Sequence, residues 1–362
     1  MKYFSGIDLH WDNCYITTHD DSGAIVKQQR VNNTPALLTA YFLSLPGSHI
    51  AVVESTTGWY WLSDLLEELG IELVLAHAKY LKAISYAKVK TDKVDSNTLA
   101  TLLRLNLIPR AHKISKHLRD LRDTMRARLR IVHKHTACVL SAQTIGVKFN
   151  HPESFSEPYQ LQLALLEQQR AMLSEHILTL EKSLHGQLIP NDDIQHLLHV
   201  PGIGKISAFT LYLEIDGIER FDSDKQFVSY CRLVPAADNS NRRIHQKSSK
   251  DGNKYLKIAF SDIAVHAIQY YPEIKSFYNK MVRRTNKAVA RTIVAKELAK
   301  IVYYILKNKT SYKGFKGLPI SHQKSVQWPR LSSSEGIPLG PGRLTDSASI
   351  SPDWIGKTSA VP

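Results

Sequence analysis

Two short apolar runs in this chain each end on a carboxylate. Tyr3-Phe4-Ser5-Gly6-Ile7 leads into Asp8, and Ile50-Ala51-Val52-Val53 leads into Glu54. Runs this short suit strands better than helices. Two further strand-like stretches, Asn13 to His19 and Ala24 to Val31, follow Asp8, and the loop Ser55-Thr56-Thr57-Gly58 follows Glu54. Asp92 and Asp95 stand three apart at the start of a helical pattern from Asp92 to Leu107, so both face the same way. An acidic residue at an element's end also serves solubility and capping, and Asp92 suits the positive end of a helix. Four carboxylates in the order strand, strand, helix, helix are much harder to assign to capping alone. Carboxylates so placed can converge on two Mg²⁺ (or Mn²⁺) ions, roughly 4 Å apart, that clamp the attacking and leaving oxygens of a phosphodiester.

The first 110 residues alternate short strands and helices. After the three opening strands come a helix (Thr34 to Leu45), the Glu54 strand, a helix (Trp59 to Leu69), a strand (Glu72 to His77) and helical segments ending near Leu107. Three antiparallel strands followed by helix-linked parallel ones match the plan of an α/β, ribonuclease-H-like (RuvC-like) sheet. Residues 111–190 read as a basic helical or coiled-coil linker. One helix there carries Arg119, Arg122, Arg126, Arg128, Arg130 and Lys134 beside the apolar stripe Leu118, Leu121, Met125, Leu129 and Val132. The next runs from Pro158 to about Leu188, with Leu166, Leu173 and Leu180 repeating every seven and Ile177 and Leu184 between them. That repeat fits a helical hairpin or the seam of a coiled-coil dimer. Residues 191–317 read as a second, mostly α-helical domain. From 318 to 362 the composition turns to Ser, Pro and Gly without periodicity, as expected of a disordered tail.

At 362 residues the chain can hold two cores. Its net charge of +14 is concentrated: residues 241–317 carry 18 Lys and Arg against 4 Asp and Glu, while the remainder carries 29 of each sign. A basic region of this kind is an electrostatic footprint for a polyanion, and nucleic acid is the expected partner. Cys14, Cys138 and Cys231 are far apart and form no Cys-x-x-Cys, so neither a disulfide framework nor a zinc site is expected. The amino terminus does not read as a signal peptide, and no stretch approaches 18 uninterrupted apolar residues. A cytoplasmic protein with no membrane partner is the expectation.

Two further segments bear on phosphate chemistry. Leu197 to Ala208, with Val200-Pro201-Gly202-Ile203-Gly204-Lys205 at its centre, resembles the hairpin of a helix-hairpin-helix element. Gly202 and Gly204 permit a tight turn, the following helix offers free N–H groups to a phosphate, and Lys205 adds charge. Such an element grips backbone without reading sequence; an ordinary turn between core helices has the same appearance. Leu233 to Arg243 is polar and turn-rich. A serine there beside Arg242 and Arg243 could attack phosphorus while the arginines neutralise the phosphate, and on that ground Ser240, Ser248 and Ser249 compete equally. Lys247 and Lys250 extend the basic patch, and Arg122, Arg126 and Arg130 are candidate contacts on the linker.

Taken together, Gly6-Ile7-Asp8, Glu54 to Tyr60, Thr91-Asp92-Lys93-Val94-Asp95, Pro201 to Gly204, Arg220-Phe221, Leu233-Val234-Pro235 and Ser249 to Asn253 resemble the DEDD transposases of bacterial insertion sequences, the IS110 type. That family includes Piv-type DNA invertases and bridge-RNA-guided recombinases. The resemblance spans about residues 3–310. It implies that Asp8, Glu54, Asp92 and Asp95 form the metal-binding set and that Ser240, five residues after Pro235, is the nucleophile forming a transient phosphoserine link to DNA. It also implies donor and target DNA as substrates, a structured bridge RNA whose pairing sets specificity, and a homodimer that assembles to a tetramer. Where the family commonly has Gly after the serine, this chain has Asn241, a residue that tolerates positive φ better than most. Inversion and transposition share this chemistry. A metal-only nuclease of the RuvC kind would use the same carboxylates with water, and a non-catalytic nucleic-acid-binding protein would need only the basic region.

Overall fold

The run containing Asp8 forms strand β1 (Lys2–Leu9), and the chain turns back twice to add β2 (Asn13–His19) and β3 (Ile25–Asn32) in antiparallel register. The computed structural model describes residues 1–56, 58–84, 91–148, 155–187, 191–240, 243–247 and 251–315, of which 83, 236–240 and 243–247 are described by backbone alone. Arg242, Ser248, Ser249, Lys250 and the expected tail at 318–362 lie outside them. The chain divides into two units, Met1–Ile114 and a second that begins at Ser115.

In the first unit, helix α1 (Pro35–Leu43) starts with proline at its first position, where the missing N–H costs nothing. It leads to β4 (Ser48–Glu54), which pairs parallel with β1. Helix α2 (Trp59–Glu68) then connects to β5 (Glu72–Ala76), parallel to β4. The five-stranded sheet has the order β3-β2-β1-β4-β5, followed by α3 (Ala78–Ile84) and α4 (Asp92–Arg104). Alternation along the strands gives the sheet two different faces. On one, buried hydroxyls of Ser5 and Thr18 lie 2.8 Å apart and Thr18 reaches Tyr41 of α1 at 2.9 Å. On the other, Val52, Val74 and Ala76 pack with Leu99 and Leu103 of α4.

Helix α4 can lie on β1 because residue 6 has no side chain. A Cβ there would stand 2.1 Å from Ser96 O and 2.4 Å from Ala100 N, both backbone atoms. The same close approach lets the buried hydroxyls of Thr17 and Ser96 meet at 2.7 Å. Thr17 is the β2 neighbour of Gly6 in the sheet.

The second unit begins with helix α5 (Arg119–Lys148), which packs against α6 (Glu157–Gln187). Arg128 meets Glu181 at 2.6 Å, Cys138 meets Gln169, and Lys148 lies over the Tyr159 ring, so the partner number falls as the first rises. The two helices therefore form an antiparallel intramolecular hairpin, with Leu173, Ile177 and Leu184 buried along α6. Beyond it come α7 (Asp192–Leu198), α8 (Lys205–Ile215), α9 (Asp224–Tyr230), α10 (Lys254–Tyr270), α11 (Pro272–Val282) and α12 (Lys287–Asn308). Their core contains Leu197, Leu211, Phe227, Phe260, Val294 and Leu298, each fully buried. The segment before α10 is not a plain loop: β6 (Ala236–Ser240) and β7 (Arg243–Lys247) pair as an antiparallel hairpin. No helix among the described residues is long and apolar enough to cross a membrane.

A buried carboxylate ties α5, α8 and α10 together. Glu214, with only 1% of its side chain exposed, accepts from Arg126 Nε at 2.6 Å and Nη2 at 2.7 Å, and from Asn253 Nδ2 at 2.7 Å. Asn253 meanwhile caps α10, its Oδ1 accepting from the N–H groups of Tyr255 and Leu256. Arg126, one of the candidate nucleic-acid contacts, is thus engaged by a buried carboxylate. Its fork is committed to Glu214, and its guanidinium lies 4.4 Å from the Tyr255 ring centre. Arg122 is half-buried, while Arg130 is exposed.

Two stability measurements check this packing. Gly6→Ala should lower the unfolding free energy by about 1–3 kcal/mol or more, because the added Cβ would meet backbone atoms of α4 that cannot turn aside. Gly146→Ala is the control: it lies in α5 with open space around it and should be neutral or stabilising by up to about 1 kcal/mol. Equal effects in chemical denaturation would remove the close-approach argument. Arg126→Ala should cost about 3 kcal/mol, since it strands Glu214 without its cation. A variant as stable as wild type would return Arg126 to the surface.

Candidate metal and nucleic-acid site

Gly6 and Asp8 lie on the same face of β1, so the helix that rests on Gly6 passes beside Asp8. Ser96 and Ala100 stand over Gly6, and the amino-terminal turn of α4, which carries Asp92 and Asp95, reaches the end of the strand. Thr91 caps this turn, its hydroxyl accepting from Val94 N. Ile7 and Val53 are register neighbours on β1 and β4, so Asp8 and Glu54 follow as the next residues on parallel strands and share a face.

The ligating atoms of Asp8, His10 and Asp92 all lie within 4.8 Å of one another. His10 Nε2 is 3.2 Å from Asp8 Oδ2 and 3.4 Å from Asp92 Oδ1. Arg30 Nη2 donates to Asp92 Oδ2 at 2.7 Å, while its Nη1 donates to Asn13 Oδ1 at 2.9 Å. Partial burial opposes ionisation of Asp92, yet Arg30 and His10 outweigh it and hold the carboxyl below its ordinary range. The site therefore keeps Asp92 charged and balances it with neighbouring cationic or hydrogen-bonding groups. Two aspartate oxygens facing each other across this gap fit a hard divalent cation, and the imidazole adds tolerance for Mn²⁺. Among the described residues, Glu54 and Asp95 do not enter this three-residue cluster: Glu54 ends the adjoining strand, and Asp95 lies one turn further along α4.

Sequence reasoning alone does not single out His10 or Arg30. His10 carries a usable signal, because it lies only two residues after Asp8. Arg30 carries none. It reaches the site because β3, β2 and β1 align Arg30, Tyr15 and Asp8 in one row.

In the second unit, Gly202 adopts φ +83°, and a Cβ there would stand 2.4 Å from Ile263 O and 2.9 Å from Ala267 N on α10. Packing against α10 is thus sufficient reason for that glycine. Gly204 differs: it is the exposed N-cap of α8, with open space around it, and Lys205 is the first helical residue. Ser240 is the last residue of β6 and pairs with Arg243 across a two-residue connection, so its backbone stands at a hairpin tip. That differs from the loop expected from its polar surroundings. Lys247 pairs with Ala236 at the other end of the hairpin.

A DEDD transposase model of the IS110 type matches residues 5–145, and a model described as the transposase IS116/IS110/IS902 family matches residues 194–279. The chain is 22% identical over 335 residues to a transposase for insertion sequence element IS1328 from Yersinia enterocolitica, covering 85% of this chain and 97% of the relative. It is 21% identical over 334 residues to a transposase for insertion sequence element IS1111A from Coxiella burnetii, covering 85% and 90%. A probable family 20 transposase from Pseudomonas aeruginosa is 22% identical over 302 residues, covering 75% and 88%. The first match contains all four acidic positions and the second contains Ser240 and the helices around it. By both matches, the chain belongs to the IS110-type family of DEDD transposases.

Proposed function

We propose that this protein is a DNA transposase that cuts and rejoins strands with Ser240 as nucleophile and a divalent-cation site at Asp8, Glu54, Asp92 and Asp95. The observation that carries the proposal is the meeting of Asp8 and Asp92, two residues 84 positions apart, at the end of a β3-β2-β1-β4-β5 sheet. That strand order, with its antiparallel and parallel halves, supports a ribonuclease-H-like (RuvC-like) reading of the first unit.

In the proposed reaction Ser240 Oγ bonds to the scissile phosphorus, the phosphorus–oxygen bond to the neighbouring sugar breaks, and the departing oxygen takes up a proton. A hydroxyl of the second strand then attacks the phosphoserine and releases the serine. Each exchange breaks one phosphoester and forms one, so no external energy source is required. Mg²⁺ or Mn²⁺, when bound, supplies positive charge for the reacting phosphate. Asp8 and Asp92 orient that charge, Arg30 keeps Asp92 ionised, and the hairpin holds Ser240 next to Arg243. The basic segment 241–317 supports a polyanion along this unit. A bridge RNA as specificity element, and a dimer assembling to a tetramer, rest on the family likeness.

Asp8→Asn and Asp92→Asn should each lower Mg²⁺-dependent cleavage of donor DNA by on the order of 100-fold or more while leaving DNA binding near wild type. Undiminished cleavage in either variant would remove the carboxylate site. Replacing Arg242 and Arg243 with Ala should flatten the salt dependence of DNA binding by about one unit of slope for each phosphate left without its cation. An unchanged slope, read by titration at several salt concentrations, would place the phosphate-binding cations elsewhere.

A further inference from the structure

Trp11 is 94% exposed, more than any other large apolar side chain among the described residues. An indole in water forgoes the gain of burial, and aromatic rings of this size usually find cover. The backbone beneath it is nevertheless held firmly. His10 N donates to Asn13 O at 2.9 Å, and Asn33 N donates to Asp12 O at 2.9 Å. Asn33 Nδ2 donates to His10 O at 2.9 Å and Trp11 O at 3.1 Å. Three successive residues are thus pinned, and the turn between β1 and β2 presents its ring on a fixed base.

The place of this turn matters as much as its rigidity. Trp11 directly follows His10, whose imidazole touches both Asp8 and Asp92, and it sits at the carboxylate end of β1. Its surroundings are polar and charged: His10, Asp12, Asn13, Asn33 and the half-exposed Arg30. A protein partner would want an apolar patch around a buried anchor. A single flat ring among charged and amide groups, next to the proposed phosphate-cutting site, suits a nucleobase whose backbone passes beside it.

Resting on the transposase reading, we propose that Trp11 is a base-stacking residue that takes the nucleobase adjoining the phosphodiester at Asp8 and Asp92, and so sets which phosphate enters the site. It would act as a positioning residue, holding strand register without entering the bond exchange.

The test is a double-mutant cycle on the full chain. Wild type, Trp11→Ala and Trp11→Phe are titrated with donor-end oligonucleotides, either intact or with an abasic nucleotide at each position flanking the mapped cut. Melting temperature and mass in solution are recorded alongside. Trp11→Ala should weaken binding of intact DNA about 5- to 150-fold with an unchanged melting temperature, and Trp11→Phe should recover most of the loss. One abasic position should weaken wild type by a similar factor and cost Trp11→Ala nothing more. Losses that multiply at every position, or a Trp11→Ala that binds like wild type, would overturn the stacking role while leaving the transposase reading intact. A fall in solution mass for Trp11→Ala without DNA would also overturn it, by showing the ring covered by a second copy. Wild type that neither binds nor cuts donor DNA would overturn both readings.

Discussion

The contact between Gly6 and α4 is the constraint on which the rest of the first unit depends. A helix normally keeps side-chain distance from a sheet, and here Ser96 O and Ala100 N come close enough to exclude even a methyl group at residue 6. That approach fixes the height of the helix above β1, and the strand alternation fixes Asp8 on the same face. Asp92 then stands within reach of His10 and Arg30. The placement of these like charges thus comes from backbone packing on rigid elements. His10 contacts a carboxylate oxygen of each aspartate and Arg30 one of Asp92, which lessens the repulsion between Asp8 and Asp92.

The second unit follows a different logic. Its central polar feature is Glu214, which gathers Arg126 and Asn253 from two other helices, and Asn253 in turn starts α10. Gly252, with φ +96°, allows the chain to pass against Tyr230 O immediately before that cap. Residues that carry the family likeness around positions 202 and 252–253 therefore serve the packing and capping of α10. A buried ion pair of this kind costs desolvation and adds little net stability, so its value lies in specifying one arrangement of three helices.

Much of the first unit is legible in the sequence because its strands end where their apolar runs end. Asp8 and Glu54 close such runs, and Thr91 before Asp92 marks a helix start, so local pattern suffices. Partners set by sheet register are not legible. Arg30 and Asp8 belong to strands that are not adjacent, and only the pairing of each with Tyr15 aligns them. The partner of Arg126 is hidden for a similar reason. Arg126 sits among basic residues on a helix, and nothing local discloses a buried glutamate 88 residues away. The β6–β7 hairpin is hidden because Ala236 to Lys247 is almost wholly polar, leaving no alternation of apolar residues to betray a strand.

One measurement tests the central proposal, that serine and carboxylates act in the same DNA exchange. Donor DNA is incubated with Mg²⁺ and either wild type or Ser240→Ala, and the products are resolved under denaturing conditions, with the site of any adduct read by mass spectrometry. The account predicts a covalent protein–DNA species in wild type, attached at Ser240, and loss of both adduct and cleavage in Ser240→Ala. Cleavage that persists in Ser240→Ala, with no adduct in either protein, would contradict it and leave a nuclease that uses the carboxylates and water alone.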